Sequence, residues 1–258
     1  MAFILCIIFL ITALWFKPLP NFEHEPPRML PWTLPDYKQA QTTVQILDDG
    51  RIKLGIEHLP LIGIEPKMVA WFYQNLPIST VEISERQYSW YQIFHPSEHG
   101  QISVDEPAKD GHLGMGVGAL IARQEWFGVY NSKGAGRIIE FSEQGMIVKP
   151  ELLGLYFGEI KHSFVDEIFI LESNRQQKLG TQYNVVSIIG SDLPVIGPII
   201  NYYIRKKIFS PAMVNEWLRH QVEEVSSLQF FLKDLYDTKP QGNHYKLVLE
   251  PLQKKQSH

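Results

Sequence analysis

Residues 210–236 read SPAMVNEWLRHQVEEVSSLQFFLKDLY, and this stretch decides the fold. Ser210 followed by Pro211 predicts a helix start, because a serine caps the first free N–H groups and a proline costs nothing at the first helical position. At about 100° per residue the apolar side chains form one stripe. Its members are Val214, Leu218, Val225, Leu228 and Leu232. We therefore predict a long amphipathic helix with one face against a core.

Two ionisable residues lie on the apolar side of this helix. His220 falls at the edge of the apolar arc, and Glu224 falls inside it. A buried carboxylate without a partner is very costly, so Glu224 needs one. One interpretation is a hydrogen bond between the two side chains, one turn apart at a helix edge. The other is a divalent metal ion that binds both.

Composition limits the classes of function. The chain has 258 residues, of which 45% are hydrophobic and 12% aromatic, enough for one large domain or a domain with a smaller appendage. A net charge of −4 argues against nucleic acid as a partner. Cys6 is the only cysteine, which excludes an intramolecular disulfide and a thiolate zinc site.

The N-terminus is almost wholly apolar. Residues 1–16 read MAFILCIIFLITALWF, which is shorter than the roughly 20 residues that span a bilayer. A secretory signal normally carries Lys or Arg before its apolar run, and none is present here. We favour a membrane anchor or uncleaved signal, with a cleaved signal and a soluble hydrophobic N-terminus as alternatives. The protein is therefore expected to be membrane-anchored or exported.

The remaining sequence divides into an arm, a main domain and a tail. We predict an apolar segment over 1–17, a proline-rich arm with a small N-terminal subdomain over 18–78, a main domain over 79–238 and a polar tail over 239–258. The predicted elements are a hairpin over 43–59, a short helix from Pro66, strands over 88–94, 120–127, 138–148, 155–171 and 182–189, a helix or helix-loop over 194–209, and a possible strand over 245–252. Antiparallel strands closed by one long helix are typical of the α+β class.

Two histidines compete for one role in the segment IFHPSEH. Pro96 ends the predicted strand, which places His95 at the rim of a sheet, where sites tend to form. His99 follows four residues later and is the competing candidate.

Glu125 lies in the segment ALIARQEWFG. Strand alternation puts it on the same face as Ile121 and Phe127, so we expect it to point inward. The alternative is a surface strand on which Arg123 and Glu125 pair in solvent.

His162 also has apolar neighbours on its face of a strand. It alternates with Ile160 and Phe164 in the segment LYFGEIKHSFVDE. A single inward histidine is usually an ordinary core residue. Several inward His and Glu side chains that converge on one interior favour a site instead.

Common catalytic motifs are missing from the sequence. The glycines in GHLGMGVG, residues 111–118, lack the spacing and the βαβ context of a dinucleotide loop. Neither G-x-S-x-G nor H-E-x-x-H occurs. The sequence thus offers no serine elbow or zincin motif for hydrolysis.

Four short segments together resemble a known family. HPSEH at 95–99, ARQEW at 122–126, His162 and RHQVEE at 219–224 are similar, in order and spacing, to 2,4-diacetylphloroglucinol hydrolases and phloretin hydrolase-type enzymes. The resemblance covers about residues 60–236. It implies a helix-grip, START-like fold, in which a curved antiparallel sheet wraps around a long C-terminal helix.

The resemblance also implies a site and a reaction. Zinc would be held by His95, Glu125, His220 and Glu224, with His162 as a catalytic histidine that does not bind the metal; Fe or Mn are alternatives. The implied reaction is hydrolysis of the carbon–carbon bond between an acyl group and a polyphenol ring. Metal-activated water attacks the acyl carbonyl, and His162 shuttles the proton.

The substrate is less clearly implied than the metal. Glu98 or Tyr88 is expected to hold a ring hydroxyl of a small aromatic acyl substrate, while Gln176 and Gln177 fall near an expected tyrosine. The oligomeric state is left open, with a homodimer as one alternative.

Two further functions compete with the hydrolase. One is a non-catalytic helix-grip module that binds an apolar or polyketide ligand near a membrane. The other is a membrane-tethered structural protein, which would leave Glu125 and Glu224 exposed.

Overall fold

A computed structural model describes residues 20–152, 154–171, 176–238 and 242–247. The predicted apolar segment and the last eleven residues of the predicted tail lie outside the described residues. Among the residues described, no helix is long and apolar enough to cross a membrane.

Thirteen strands are found in the described part of the chain. They are β1 (Gln41–Ile46), β2 (Ile52–Glu57), β3 (Leu61–Ile62), β4 (Thr80–Ile83), β5 (Arg86–Ser89), β6 (His99–Glu106), β7 (Leu120–Phe127), β8 (Tyr130–Ser142), β9 (Gly145–Leu152), β10 (Leu155–Tyr156), β11 (Gly158–Leu171), β12 (Gln176–Ile189) and β13 (His244–Leu247). Ten of them form one antiparallel sheet in the order β1-β2-β12-β11-β9-β8-β7-β6, with β10 beside β9 and β3 beside β12. The other three form a small sheet in the order β13-β4-β5.

Four α-helices accompany the sheets. They are α1 (Pro66–Asn75), α2 (Trp90–Phe94), α3 (Gly197–Tyr203) and α4 (Pro211–Asp237), and a π-helical turn, Ile204–Ile208, follows α3. A 3-10 turn at Tyr37–Gln39 precedes β1.

The predicted C-terminal helix is α4. The Ser210 hydroxyl accepts a hydrogen bond from the Met213 backbone N–H, and Pro211 is the first helical residue, as the sequence predicts. The apolar stripe is buried, with Leu228 and Leu232 fully enclosed. Burying each such side chain contributes about 1.5–3 kcal/mol, so the stripe holds α4 against the sheet. The curved sheet around this helix makes the fold a helix-grip α+β fold.

Part of the region 18–78, predicted as a proline-rich arm with a small N-terminal subdomain, belongs to the large sheet. The hairpin β1–β2 exists, but β2 pairs with β12 over Ile52–Glu57 and continues the large sheet. Ile52, Leu54 and Ile56 are buried in the same core as α4. The register with β12 therefore joins this hairpin to the main domain.

Two strand predictions are wrong. Most of 88–94 is the helix α2, because Ser89 and Gln92 form a reciprocal capping box that starts a helix. The predicted strand over 138–148 is two strands, β8 and β9, since the chain reverses between Ser142 and Gly145. The first error matters for the site, because α2 ends immediately before His95.

Candidate metal centre

Four side chains from β6, β7 and α4 meet between the large sheet and α4. His99 begins β6, Glu125 lies near the end of β7, and His220 and Glu224 lie one turn apart on the inner face of α4. All four are buried. Nε2 of His99 lies 3.2 Å from Nε2 of His220, 3.1 Å from Oε2 of Glu224 and 4.0 Å from Oε2 of Glu125. Nε2 of His220 lies 3.7 Å from Oε2 of Glu224.

Both histidines are held through their Nδ1 atoms. The His99 Nδ1–H donates to the backbone oxygen of Tyr91 at 2.7 Å, and the ring stacks on the Tyr91 ring with centroids 3.8 Å apart. The His220 Nδ1–H donates to Oε2 of Glu98 at 2.8 Å. With the proton on Nδ1, each Nε2 carries a lone pair. The two lone pairs therefore face each other, an arrangement that a cation between them satisfies.

Glu125 is held as a carboxylate. It accepts hydrogen bonds from the Tyr91 hydroxyl at 2.6 Å and from Nε of Arg123 at 2.7 Å. Burial raises the pKa of Glu125, but Arg123 and the nearby histidines outweigh burial and lower that pKa to about 2. Arg123 and Glu125 thus do pair, but the carboxylate is buried rather than in solvent.

Glu224 differs from Glu125 in its charge state. Burial, together with the negative charge of Glu125, raises the pKa of Glu224 to about 8. Its other oxygen accepts a hydrogen bond from the Gln221 amide at 2.6 Å. Glu224 therefore retains a proton near neutral pH unless a further positive charge is close.

The geometry of this group fits a divalent metal. Two ligand atoms, each about 2.0–2.1 Å from one zinc ion, lie at most about 4.2 Å apart. Four of the six separations among these ligand atoms are given above, and all four are 4.0 Å or less. Two imidazole nitrogens and two carboxylate oxygens are also a donor set that suits zinc. We call His99, Glu125, His220 and Glu224 the metal-type cluster.

His99 forms a group of candidate ligand atoms with Glu125 and His220, whereas His95 forms a second such group with Glu98 and His220. Nε2 of His95 faces Oε2 of Glu223 at 3.2 Å and Oε2 of Glu98 at 3.6 Å. Among the described residues, no group of candidate ligand atoms lying within 4.8 Å of one another contains both His95 and Glu125. The reason is local: His95 is the C-cap of α2, whereas His99 pairs with Glu125 across β6 and β7.

The two expected substrate-binding residues lie elsewhere. Glu98 accepts hydrogen bonds from the Gly128 backbone N–H, from Arg219 and from His220, so both of its oxygens are in use. Tyr88 lies in β5 of the small sheet. Neither lines the cavity described below, so the expectation that they hold a ring hydroxyl does not fit the structure.

A cavity between the large sheet and α4 ends at the metal-type cluster. Its volume is about 90 Å³. Glu125 and Glu224 are part of its wall, and most of the rest of the wall is apolar. The apolar wall includes Phe94, Ile102, Met115, Ile138, Val148 and Trp217. The cavity therefore combines a largely apolar wall with two buried carboxyl groups.

His162 faces the same cavity from β11 and stands outside the metal-type cluster. Its Nδ1 lies 2.7 Å from the Tyr183 hydroxyl, which lies 2.7 Å from the Tyr73 hydroxyl. Burial, followed by the positive charge of Arg123, lowers the pKa of His162 to about 3. Its Nε2 has no hydrogen-bond partner among the residues that the structure describes. His162 is therefore a neutral histidine with one nitrogen open to the cavity.

Sequence reasoning missed several residues around the site. Tyr91 orients His99 and Glu125 at once, but it was assigned to a strand instead of α2. Tyr183 was detectable, because it alternates with Thr181 and Val185 on the inward face of β12. Tyr73 belongs to the apolar face of α1, where a tyrosine gives no signal of its own.

Comparison with known proteins gives matches among solved structures alone. No family model and no curated protein matches the chain. A START superfamily protein from Mycobacterium smegmatis is 12% identical, with a TM-score of 0.35, over 68% of this chain and 98% of that one. The crystal structure of Ara h 8.0201 is 9% identical, with a TM-score of 0.33, over 73% of this chain and 98% of that one.

Proposed function

We propose that this protein is a metal-dependent hydrolase that acts on a small, largely apolar molecule held in the cavity. One observation carries the proposal: two Nε2 atoms converge with two carboxylates, and these carboxylates line a largely apolar cavity. The residues that would hold the metal are His99, Glu125, His220 and Glu224. Zinc suits this donor set best.

The surrounding residues prepare these four for a metal. The Tyr91 backbone oxygen and Glu98 keep the proton of each histidine on Nδ1. Arg123 keeps Glu125 ionised inside the protein. Such partners fix ring orientation and raise the basicity of the ligands. A bound divalent cation would polarise a substrate oxygen and lower the pKa of a water molecule to about 7.

His162 is suited to move a proton. The Tyr183 hydroxyl can donate to Nδ1 or accept from it, because its other partner is the Tyr73 hydroxyl. Either ring tautomer is therefore satisfied, and Nε2 can give or take a proton at the cavity. Since burial keeps the ring neutral, a proton acquired on Nε2 is readily passed on.

The resemblance of the four segments to acylphloroglucinol hydrolases suggests the substrate class. Hydrolysis of an aryl ketone requires a proton on the ring carbon and water at the acyl carbon; the products are the free polyphenol and a carboxylic acid. His162 would deliver that proton from Nε2 and recover one from the water. The apolar wall, with Phe94 and Met115, would hold the ring.

A non-catalytic ligand-binding module is the second candidate. The helix-grip fold and the largely apolar wall favour it, because both suit an apolar ligand. In that case the metal-type cluster would be a buried hydrogen-bonded group without a metal. A hydrolase would contain a bound metal and turn over a substrate, whereas a binding module would do neither.

Metal analysis and an activity panel distinguish the two candidates. The full-length protein is incubated with zinc, desalted, and analysed for metal, then assayed on acylphloroglucinols and dihydrochalcones. The hydrolase predicts one metal per chain and release of a carboxylic acid that stops with a chelator. A protein without stoichiometric metal that binds apolar ligands tightly would establish the binding module. Activity that persists after both chelation and His220→Ala would rule out the metal mechanism.

A further inference from the structure

One end of the large sheet collects several chain connections. The β7–β8 turn, the segment from β9 to β11 and the exit of β12 all lie there, since the register pairs Ala135 with Glu151 and Gly158 with Ile189. The segment from 190 to 209 crosses this end and leads into α4.

Exposed apolar side chains are concentrated at this end. Val129, in the β7–β8 turn, is 82% exposed, and Val195, just before α3, is 86% exposed. Leu155, Ile199 and Tyr202 are also exposed. We call these five residues the apolar rim. Single exposed apolar residues are ordinary, but several around one end of a domain indicate a contact surface.

Val195 is exposed in an unfavourable backbone conformation. Its φ is +69°, in the left-handed region that β-branched residues rarely adopt. Such strain persists where the surroundings impose it, and it is frequent at functional positions. Here the strained residue presents its side chain to solvent and buries almost nothing in return.

Positive charge follows the apolar residues along the chain. Ile199 and Tyr202 are three residues apart and therefore lie on one face of α3, and Nζ of Lys206 lies 5.9 Å from the centre of the Tyr202 ring. Residues 190–209 contain three basic residues, 205–207, and one acidic residue, Asp192, in a chain of net charge −4. Apolar side chains bordered by basic ones are typical of surfaces that bind anionic lipids.

The apolar N-terminal sequence is attached at the same end. The Phe22 backbone oxygen accepts a hydrogen bond from the Asn131 amide, and His24 stacks on Trp126 with ring centroids 4.7 Å apart. Trp126 and Asn131 face each other beside the β7–β8 turn. The sequence of residues 1–16 therefore joins the domain within a few residues of the apolar rim.

We propose that this end of the domain docks on an anionic lipid bilayer. Val195, Ile199 and Tyr202 lie below the headgroups, and Lys206 lies at the level of the lipid phosphates. Lipid then covers the exposed apolar side chains of the apolar rim. This surface is separate from the metal-type cluster, so the proposal does not depend on the reaction.

A fluorescent probe tests which part of the domain meets the lipid. A polarity-sensitive fluorophore is attached to Ile199→Cys, and separately to Val195→Cys, in the full chain carrying Cys6→Ser. Ile168→Cys is the control, because Ile168 is 66% exposed at the opposite end of the sheet, paired with Leu179. With phosphatidylserine-containing vesicles we expect a blue shift and quenching by brominated lipid at 195 and 199, and no change at 168.

Two outcomes of that experiment would overturn the proposal. Vesicle-bound protein with unchanged probes at 195 and 199 would mean that residues 1–16 tether a domain that does not touch the bilayer. Probes that are already blue-shifted without vesicles would mean that protein, either residues 1–16 or a second copy, covers the apolar rim. Measurement of the molecular mass then distinguishes these two occupants.

Charge reversal tests the lipid headgroup. Lys206→Glu should weaken binding to phosphatidylserine vesicles about fivefold or more, since each basic residue near such a surface contributes about 1 kcal/mol. Lys178→Glu, next to Leu179 at the far end, is the matched control and should change little. Equal affinities for all three proteins, or equal binding to purely zwitterionic vesicles, would overturn the role of anionic lipid.

Discussion

The two polar regions of the cavity wall differ in how their charges are balanced. At one, two imidazole nitrogens and two carboxylates face one another, and Glu224 has its pKa raised to about 8. At the other, His162, Tyr183 and Tyr73 form a chain of neutral groups that satisfy one another. In the first region a bound cation would favour the charged form of Glu224, whereas the groups of the second region pair with one another as neutral groups. The metal-type cluster should therefore respond to metal removal, and the histidine–tyrosine chain should not.

The largest effect is expected from removing a ligand of the metal-type cluster. His99→Ala should abolish stoichiometric zinc binding and hydrolysis, because it removes the nitrogen that lies 3.2 Å from Nε2 of His220 and 3.1 Å from Oε2 of Glu224. His95→Ala is the matched control, four residues away and equally buried, and should retain the metal. The metal content of both purified variants shows whether His99 or His95 is the ligand. Loss of zinc in His95→Ala with retention in His99→Ala would reverse the assignment.

The histidine on the opposite wall should affect turnover without affecting metal. His162→Ala is expected to retain full zinc content and to lower kcat by about 10²–10⁴, the usual contribution of a positioned general acid or base. Zinc content and kcat are measured on the same preparation. Loss of zinc in this variant would show that the two regions are not independent.

A smaller effect is expected at the residue that orients His220. Glu98→Gln keeps the shape of the side chain but weakens the hydrogen bond to Nδ1. Zinc affinity should fall about 10–100-fold, as for other partners of metal-bound histidines. Competition with a chromophoric chelator gives the affinity. An unchanged affinity would mean that the hydrogen bond between His220 and Glu98 does not influence metal binding.

The smallest effect concerns acid stability on the histidine–tyrosine side. His58 packs edge-on against Tyr183, with ring centroids 4.9 Å apart, and burial lowers its pKa to about 3 from 6.5. Between these values the unfolded chain binds the extra proton, so the free energy of unfolding falls as the pH falls below 6.5. At pH 5 this loss is about 2 kcal/mol, and His58→Phe should remove it.

Denaturant unfolding of chelated protein at pH 7 and pH 5 measures this difference. Chelation is necessary because metal ligands are themselves protonated in acid. His24→Phe, at an exposed position, is the control. An identical pH dependence in His58→Phe and the unsubstituted protein would contradict the prediction.

The spacing of apolar residues in the sequence was sufficient to predict the long helix and several inward-facing side chains. The 3.6-residue repeat located α4, and its buried stripe and inward His220 and Glu224 are found as predicted. Alternation placed Glu125 and His162 inside, because side chains of a strand alternate between its faces. The long helix after a run of strands indicated the α+β class. These are local properties, and a local pattern is sufficient for them.

Which of His95 and His99 faces Glu125 depends on the tertiary structure. A capping box turned the predicted strand over 88–94 into α2, which placed His95 at a helix end and His99 opposite Glu125. The role of Glu98 likewise depends on His220, 122 residues away in the chain. Which inward side chains meet is set by strand register and by the position of α4 against the sheet. Those contacts join distant parts of the chain, so no local pattern encodes them.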